Sequence, residues 1–354
     1  MAALIDTSDL TLNPQEALVA SEAVFEQVYA KPMLNQAHEV MTGIQMKTQI
    51  PFFGLMGHVG KVSSGCTPNT SAEIINLTEK YWDPALNDFR LPHCQNQISP
   101  LFKMWKKDAI ANKTWENVND EMMAFIISRG VDAMENAILR ISSFGDKSAK
   151  LYSAGGMITN TEDVTFLTMI NGLWQQIFAD ATIYRYTIPE NALASYNAQD
   201  ALASGRALDV FRTLHNKIDP RAHATGNLVY QVTRSLFNEW QDYLEDKSLG
   251  FTLNEVENAD GTSKAKYRGK PIIIRDDWDT NIRDFHNDTV NGVYTYPTRA
   301  ILTPIGNIPI GTSDEGSMKT LDSFYDKVSK TWYLDGAFYL DAKVLLPYMI
   351  AVAY

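Results

Sequence analysis

The chain has 354 residues, 45% of them hydrophobic and 21% charged, which excludes a disordered protein and leaves ample apolar material for a core. Thirty-one basic against 42 acidic side chains give a formal net charge of −11, the wrong sign for a surface that grips phosphate backbones throughout. Two cysteines, Cys66 and Cys94, are too few for a disulfide framework and lack metal-ligand spacing, so reduced thiols are expected.

The opening MAALIDTSDLTLNPQ has no basic n-region and no apolar h-region, and the late apolar run Val344 to Tyr354 is short and interrupted by Pro347. Neither export nor a membrane span is expected. Leu18, Val19, Glu22, Phe25 and Val28 make a partial helical stripe that stops near Lys31-Pro32, and the rest of residues 1–50 reads as an extended arm. PFFGLMGHVGKVSSG, from Pro51 to Gly65, is punctuated by glycine and reads as a mobile hairpin or loop.

EKYWDPALNDFRLPHCQNQI reads as strand-rich, with Pro84 and Pro92 confining it to edges or turns, and a short helix follows around LFKMWKKDAI. Thr114 offers an N-cap, Glu116, Asp120 and Glu121 suit the positive helix start, and Met123, Ile126, Ile127, Met134, Ile138 and Ile141 recur at helical spacing. This predicts one long helix from Trp115 to Ser142, with Gly145 letting the chain turn away.

Residues 151–196 mix loops and short elements, and Ala201 to Lys217 is predicted as a helix with Leu208, Phe211 and His215 on one side, stopped by Asp219-Pro220. Leu228 to Val232 reads as a strand, followed by a helix with Leu236, Trp240, Tyr243 and Leu244 on one face, a polar loop, and PIIIRD as a strand buried on both faces. The remainder is β-rich, with Pro297, Pro304, Pro309 and Pro347 at edges or bends and turns placed at Asp335-Gly336 and Leu340-Asp341. The fold class is α+β, and the element order favours two lobes sharing a chain that crosses between them.

No stretch meets the demands of a catalytic motif. GLMGHVGKVSSG fails as a phosphate-binding loop, because Gly54 and Gly60 are one residue too far apart and Val62 stands where a hydroxyl should bind magnesium. In DDWDTNIRDFHND, Asp277, Asp279 and Asn281 alternate as oxygen ligands do in calcium loops, but Ile282 replaces the required glycine and Asp288 the bidentate glutamate. An acidic surface loop is the plain alternative. Asp284, His286 and Asp288 are open to a metal site along a short strand or to a solvated strand face. His93 beside Cys94 is adjacent in sequence, which sends the side chains apart, and His38, His58, His215 and His223 are scattered. No catalytic, cofactor-binding or metal-binding residue is assigned, and no cofactor is expected.

The order of arm, glycine hairpin, long helix, mixed insert and β-tail resembles the major capsid proteins of tailed bacteriophages, with the Hong Kong 97-type capsid fold. In that resemblance 1–50 is the N-terminal arm, 51–78 the extended loop, 79–150 the peripheral domain with spine helix 115–142, and 151–292 the axial domain. Residues 293–354 are then a β-rich return to the peripheral and axial domains.

The resemblance implies a structural protein without enzymatic activity that self-assembles as hexamers and pentamers into an icosahedral head around double-stranded DNA, which it encloses without sequence-specific binding. It further implies a virion location after assembly in the host cytoplasm, with a separate scaffolding protein, a portal and decoration proteins as partners and no membrane. Lys61 lies in the loop that carries a cross-linking lysine in some members, with no asparagine partner identifiable. Rival readings are an encapsulin-like cellular shell of the same fold, and a metal-assisted hydrolase using Asp276 to Asp288.

Overall fold

A computed structural model describes residues 37–44, 49–53, 77–94, 130, 132–247, 265–313, 322–326 and 331–354. The arm before residue 37, the glycine-rich segment with His58, Lys61 and Cys66, the helix around 101–110, and the first half of the long helix lie outside the described residues, as does the polar loop after residue 247. Among the described residues the strands form a six-stranded sheet, a five-stranded sheet and two two-stranded pairings.

The chain enters through β1 (Val40–Met41) and β2 (Gln49–Phe53), and β2 pairs antiparallel with β3 (Leu77–Tyr81), closing the base of the segment expected as a loop. β4 (Ala85–Cys94) follows, then helix α1 (132–144), which is the described part of the expected long helix and is succeeded by Gly145 as anticipated. Next come α2 (Leu173–Ala179), β5 (Tyr184–Tyr186), α3 (Tyr196–Asp200), α4 (Arg206–Lys217) and α5 (Pro220–Ala224). β6 (Leu228–Val232), α6 (Arg234–Asp246), β7 (Lys266–Tyr267), β8 (Lys270–Ile274) and α7 (Asp276–Phe285) carry the chain to the hairpin of β9 (Asn287–Asp288) and β10 (Val293–Tyr294). β11 (Ala300–Pro304), β12 (Ile310–Gly311), β13 (Asp322–Asp326), β14 (Thr331–Ala342) and β15 (Ala351–Ala353) complete the order.

The six-stranded sheet runs β5-β15-β11-β6-β8-β7 and is covered on both faces. Side chains alternate along a strand. Ala300, Leu302, Ala351 and Ala353 therefore pack under α4 and α6, while Ile301 and Val352 meet Trp174, Ile177 and Trp278 on the other side. β6 and β8 pair in parallel with α6 leading from the first toward the second, the strand, helix, loop, strand unit expected from the sequence. α1 lies on the five-stranded sheet, where Met134, Ile138 and Ile141 pack with Ile310, Phe338 and Leu340. In that sheet β14 pairs with β4, β13 and β12, and β4 has no other partner among the described residues, so it takes the edge position that Pro92 demands.

Three local expectations are corrected. The helix expected from Ala201 begins only at Arg206, after Gly205 at φ 82, a left-handed conformation that breaks helical continuity from α3. Its buried stripe is Ala207, Val210, Phe211 and Leu214, not one centred on Leu208 and His215. In β8 only Ile272 is fully buried, with Ile273 and Ile274 half-buried, so the strand is not covered on both faces by the described residues. Asp335-Gly336 and Leu340-Asp341 are not turns but lie inside β14. Asp335 is held by a bidentate pair with Arg90 of β4 at 2.8 and 2.7 Å, and buried Asp341 accepts the Asp83 N–H at 2.7 Å and faces Lys343 at 3.1 Å. Cross-strand partners thus keep both aspartates in the strand.

The exit from α1 depends on two glycines. Gly172 N–H donates to Gly145 O at 2.7 Å, and a Cβ on Gly145 would meet Ile170 O at 2.7 Å while one on Gly172 would meet Gly145 N at 2.7 Å. In both cases the added Cβ meets a backbone atom, so the clash cannot be relieved by rotating a side chain. Gly145→Ala and Gly172→Ala are each expected to cost about 2 kcal/mol, read as a lower urea midpoint at unchanged m-value.

Candidate functional site

The most heavily connected polar group among the described residues is Arg275, fully buried between β8 and α7. A guanidinium has five N–H donors, and all are used. Nε and Nη2 donate to Asp277 Oδ1 and Oδ2 at 2.8 and 2.7 Å, Nη2 also to Ser143 Oγ at 3.1 Å, and Nη1 to Gln231 Oε1 at 2.6 Å and His38 Nε2 at 3.1 Å. Because arginine only donates, His38 Nε2 must accept, which leaves the imidazole proton on Nδ1 to reach Ile308 O at 3.0 Å. Gln231 Nε2 donates in turn to Ala37 O at 2.7 Å, and Trp278 Nε1 to Ser143 Oγ at 3.2 Å. One cation thereby fastens the segment leading into β1, the end of α1, the middle of β6 and the start of α7. Burial, then the charge of Arg275, lowers the His38 pKa to about 3, so the ring is neutral.

The segment read as a candidate calcium loop is a helix, α7. Three aspartates in its first turn suit the positive end of the helix, and Trp278 and Ile282, four apart, form its buried stripe. Alternation at every second residue spreads side chains around a helix, so Asp277, Asp279 and Asn281 do not converge. Asp277 serves Arg275, Asp279 Oδ2 accepts the Arg234 N–H at 2.7 Å, and Asn281 Nδ2 donates to Asp277 O at 2.6 Å. Asp276 is bound bidentately by Arg234 at 2.7 and 2.5 Å.

The second metal alternative is dispersed as well. Asp284 is exposed on the last turn of α7, His286 lies beyond the helix against Phe144, and Asp288 holds the β9–β10 turn by accepting the Val290 and Asn291 N–H groups. Among the described residues no group of three His, Cys, Asp or Glu side chains is arranged to hold a metal ion, and no helix is long and apolar enough to cross a membrane.

Among the remaining histidine and cysteine candidates that are described, only His215 and His223 come together. His93 and Cys94 occupy successive positions of strand β4. The His215 and His223 rings stand 4.7 Å apart, with His223 Nε2 on His215 O and Tyr230 OH 3.4 Å from His215 Nδ1. Trp240, on the α6 face expected to pack inward, is buried edge-on to Phe211.

A groove of about 650 Å³ opens where α6 and α7 begin. Asp200, Glu239, Asp242, Asp276 and Asp279 line it together with Arg234 and Arg283. Burial pushes the Asp279 carboxyl up to about 7. A second buried arginine, Arg299, has no carboxylate hydrogen bond. It lies over the rings of Trp174, Phe144 and Phe178 at 4.6, 5.2 and 5.7 Å and donates to Tyr296 O and Thr295 O at 2.8 Å each. Burial lowers its pKa to about 9.

No family model matches the sequence, and no curated protein does. Solved structures match over almost the whole chain. A structure from Gordonia phage Cozz aligns with TM-score 0.52 at 10% identity over 94% of this chain and 89% of that one. The capsid of Myoviridae phage XM1 aligns with TM-score 0.50 at 10% identity over 98% of this chain and 99% of that one. The fold is the Hong Kong 97-type capsid fold. At this identity the likeness concerns the path of the chain and not individual side chains.

Within this capsid fold the sequence reading missed both Arg275 and Arg299. The available signal for Arg275 was an arginine closing the apolar run PIII directly before acidic residues; Arg299 offered none.

Arg275→Met is expected to lower unfolding free energy by roughly 3–5 kcal/mol, since it leaves Asp277 buried and unpaired; equilibrium urea unfolding measures it. The pH response has two components. His38 and His286, the latter also lowered to about 3 by burial and then Arg299, refuse protons that the unfolded chain accepts below 6.5, so their stabilisation is full above that pH and lost as pH falls toward 3. Asp279 has the opposite sign: its folded pKa is about 7 against 3.8 for the free group, so stability present below about 4 is lost as pH rises to 7. Asp279→Asn should therefore stabilise by on the order of 2 kcal/mol at pH 8 and hardly at pH 4, and His38→Gln should flatten the acid limb in melts followed by circular dichroism.

Proposed function

We propose that this protein is the major capsid protein of a tailed phage, a non-enzymatic subunit that forms hexamers and pentamers and closes them into an icosahedral shell around double-stranded DNA. The observation that carries the reading is the end-to-end alignment with the XM1 capsid, which leaves almost no part of either chain unmatched. The polar chemistry supports it. The conspicuous buried charges, Arg275 and Asp277, are spent on each other and on neighbouring elements, as suits a subunit whose task is holding shape.

In this reading the six-stranded sheet with α4 and α6 is the axial domain, the five-stranded sheet with α1 is the peripheral domain, and 293–354 returns through both. Residues 1–50 and 51–78 are the arm and loop that reach neighbours. Contact between copies stabilises the folded subunit by mass action and, repeated by symmetry, accumulates into a durable wall. A net charge of −11 suits a container that holds DNA without clinging to it. A separate scaffolding protein, a portal and decoration proteins are the expected partners, with assembly in the host cytoplasm and the virion as destination.

Expression of the full chain with its scaffolding protein is expected to yield closed particles and free capsomers by negative-stain electron microscopy. Persistent monomers at high concentration would sink the reading.

A further inference from the structure

We propose that a cationic face at the amino end of the β6–β8 strand pair docks into the acidic groove at the carboxyl end of the same pair in a second copy, so that subunits join head to tail around a ring. The inference rests on the shell reading and identifies which surfaces make one of its contacts.

β6 and β8 are parallel, so their amino ends lie together and their carboxyl ends lie together. At the amino end, Lys270 opens β8, and Arg268 and Gly269 form the two-residue turn from β7 with φ of 48° and 77°. Two successive positive φ values are the mark of a tight type I′ hairpin. Accepting a left-handed arginine there projects its guanidinium at the tip. Arg268 Nη1 donates to Asn216 Oδ1 at 3.2 Å, which brings it beside Lys217 at the end of α4, and Lys270 Nζ faces Gly226 O at 3.5 Å. The basicity of His215 is lowered by burial and then by His223, Arg268 and Lys270, which places all of them within electrostatic reach of one another. Among the described residues no carboxylate pairs with Lys217, Arg268 or Lys270. In a protein of net charge −11, a cationic end without a carboxylate partner among the described residues is the exception.

The opposite end has the complementary sign. α6 leaves the carboxyl end of β6 and α7 that of β8, and the groove between them carries Asp200, Asp242 and Asp276 against Arg234 and Arg283, with Glu239 accepting the Gly205 and Ala207 N–H groups and the Asp279 carboxyl pushed up to about 7 by burial. Five-residue strands hold the two ends roughly 13 Å apart. The patches therefore cannot meet within one copy along this strand pair but can meet between copies. Two different complementary patches on one subunit are what a head-to-tail interface requires, and such an interface closes into a ring when its rotation allows. Charge complementarity also fixes register and rejects wrong orientations.

The test uses the full chain with its scaffolding protein. It compares wild type, a patch variant (Arg268→Glu with Lys270→Glu), a groove variant (Asp200→Arg with Asp242→Arg), and an equimolar mixture of the two variants. Native mass spectrometry reads ring size, and circular dichroism verifies helix content; if the charge-reversed patch does not fold, the neutral pair Arg268→Gln with Lys270→Gln replaces it and is read alone, by its loss of rings, without the mixture. Each variant alone should lose ring yield at least about tenfold. The mixture should regain rings of six, because alternation sets every reversed patch against a reversed groove. Rings of five should stay absent, since an odd ring forces a like-charged contact. Wild-type yield from either variant alone overturns the proposal and leaves the shell reading intact. So does a folded mixture that fails to recover, or a patch variant that closes normal particles but retains less DNA, which would assign the cationic face to nucleic acid. A wild type that never forms rings overturns both.

Discussion

A guanidinium removed from water must have every N–H answered, and Arg275 meets that demand only when four separate parts of the chain are in place. The His38 ring, the Gln231 amide, the Ser143 hydroxyl and the Asp277 carboxylate come from positions up to 237 residues apart in sequence. Three of these partners are themselves oriented by a further bond, His38 to Ile308 O, Gln231 to Ala37 O and Ser143 to Trp278 Nε1. The network joins the six-stranded sheet to α1 and to the segment feeding β1, which pairs in parallel with β12 of the five-stranded sheet. Apolar packing would tolerate small slippage between these layers, whereas a fully satisfied polar hub does not.

Around that point the architecture is ordinary layering. Both faces of β11 and β15 are covered, so their sequences, AILTP and AVA, read as continuous apolar runs and not as alternation. The close approach of Gly145 and Gly172 sets α1 against the start of α2, and Arg299 fills the space among aromatic rings where a carboxylate would have been the usual partner.

Elements whose pattern is local were readable. The 3.6-residue stripe through Met134, Ile138 and Ile141, the α6 face of Leu236 and Trp240, the edge character signalled by Pro92, and the stop at Asp219-Pro220 all have short-range causes. Errors arose where a distant partner overruled a local preference. Asp335-Gly336 has turn chemistry, but Arg90 lies across the ladder; DDWDTN has calcium-loop spacing, but Trp278 and Ile282 find a core to bury in. The two-sidedness attributed to PIIIRD failed because coverage of a strand depends on its position in the sheet.

By itself, then, the sequence determined the class of the fold and most of the local elements among the described residues, because hydrophobic period, caps and breakers act over a few residues. Only the tertiary structure decided which charges are buried and which stand free. Arg275 and Arg268 are the same residue type in similar company, yet one meets five acceptors in the interior and the other projects from a hairpin tip. The difference is long-range: desolvation is set by what the rest of the chain brings to the site.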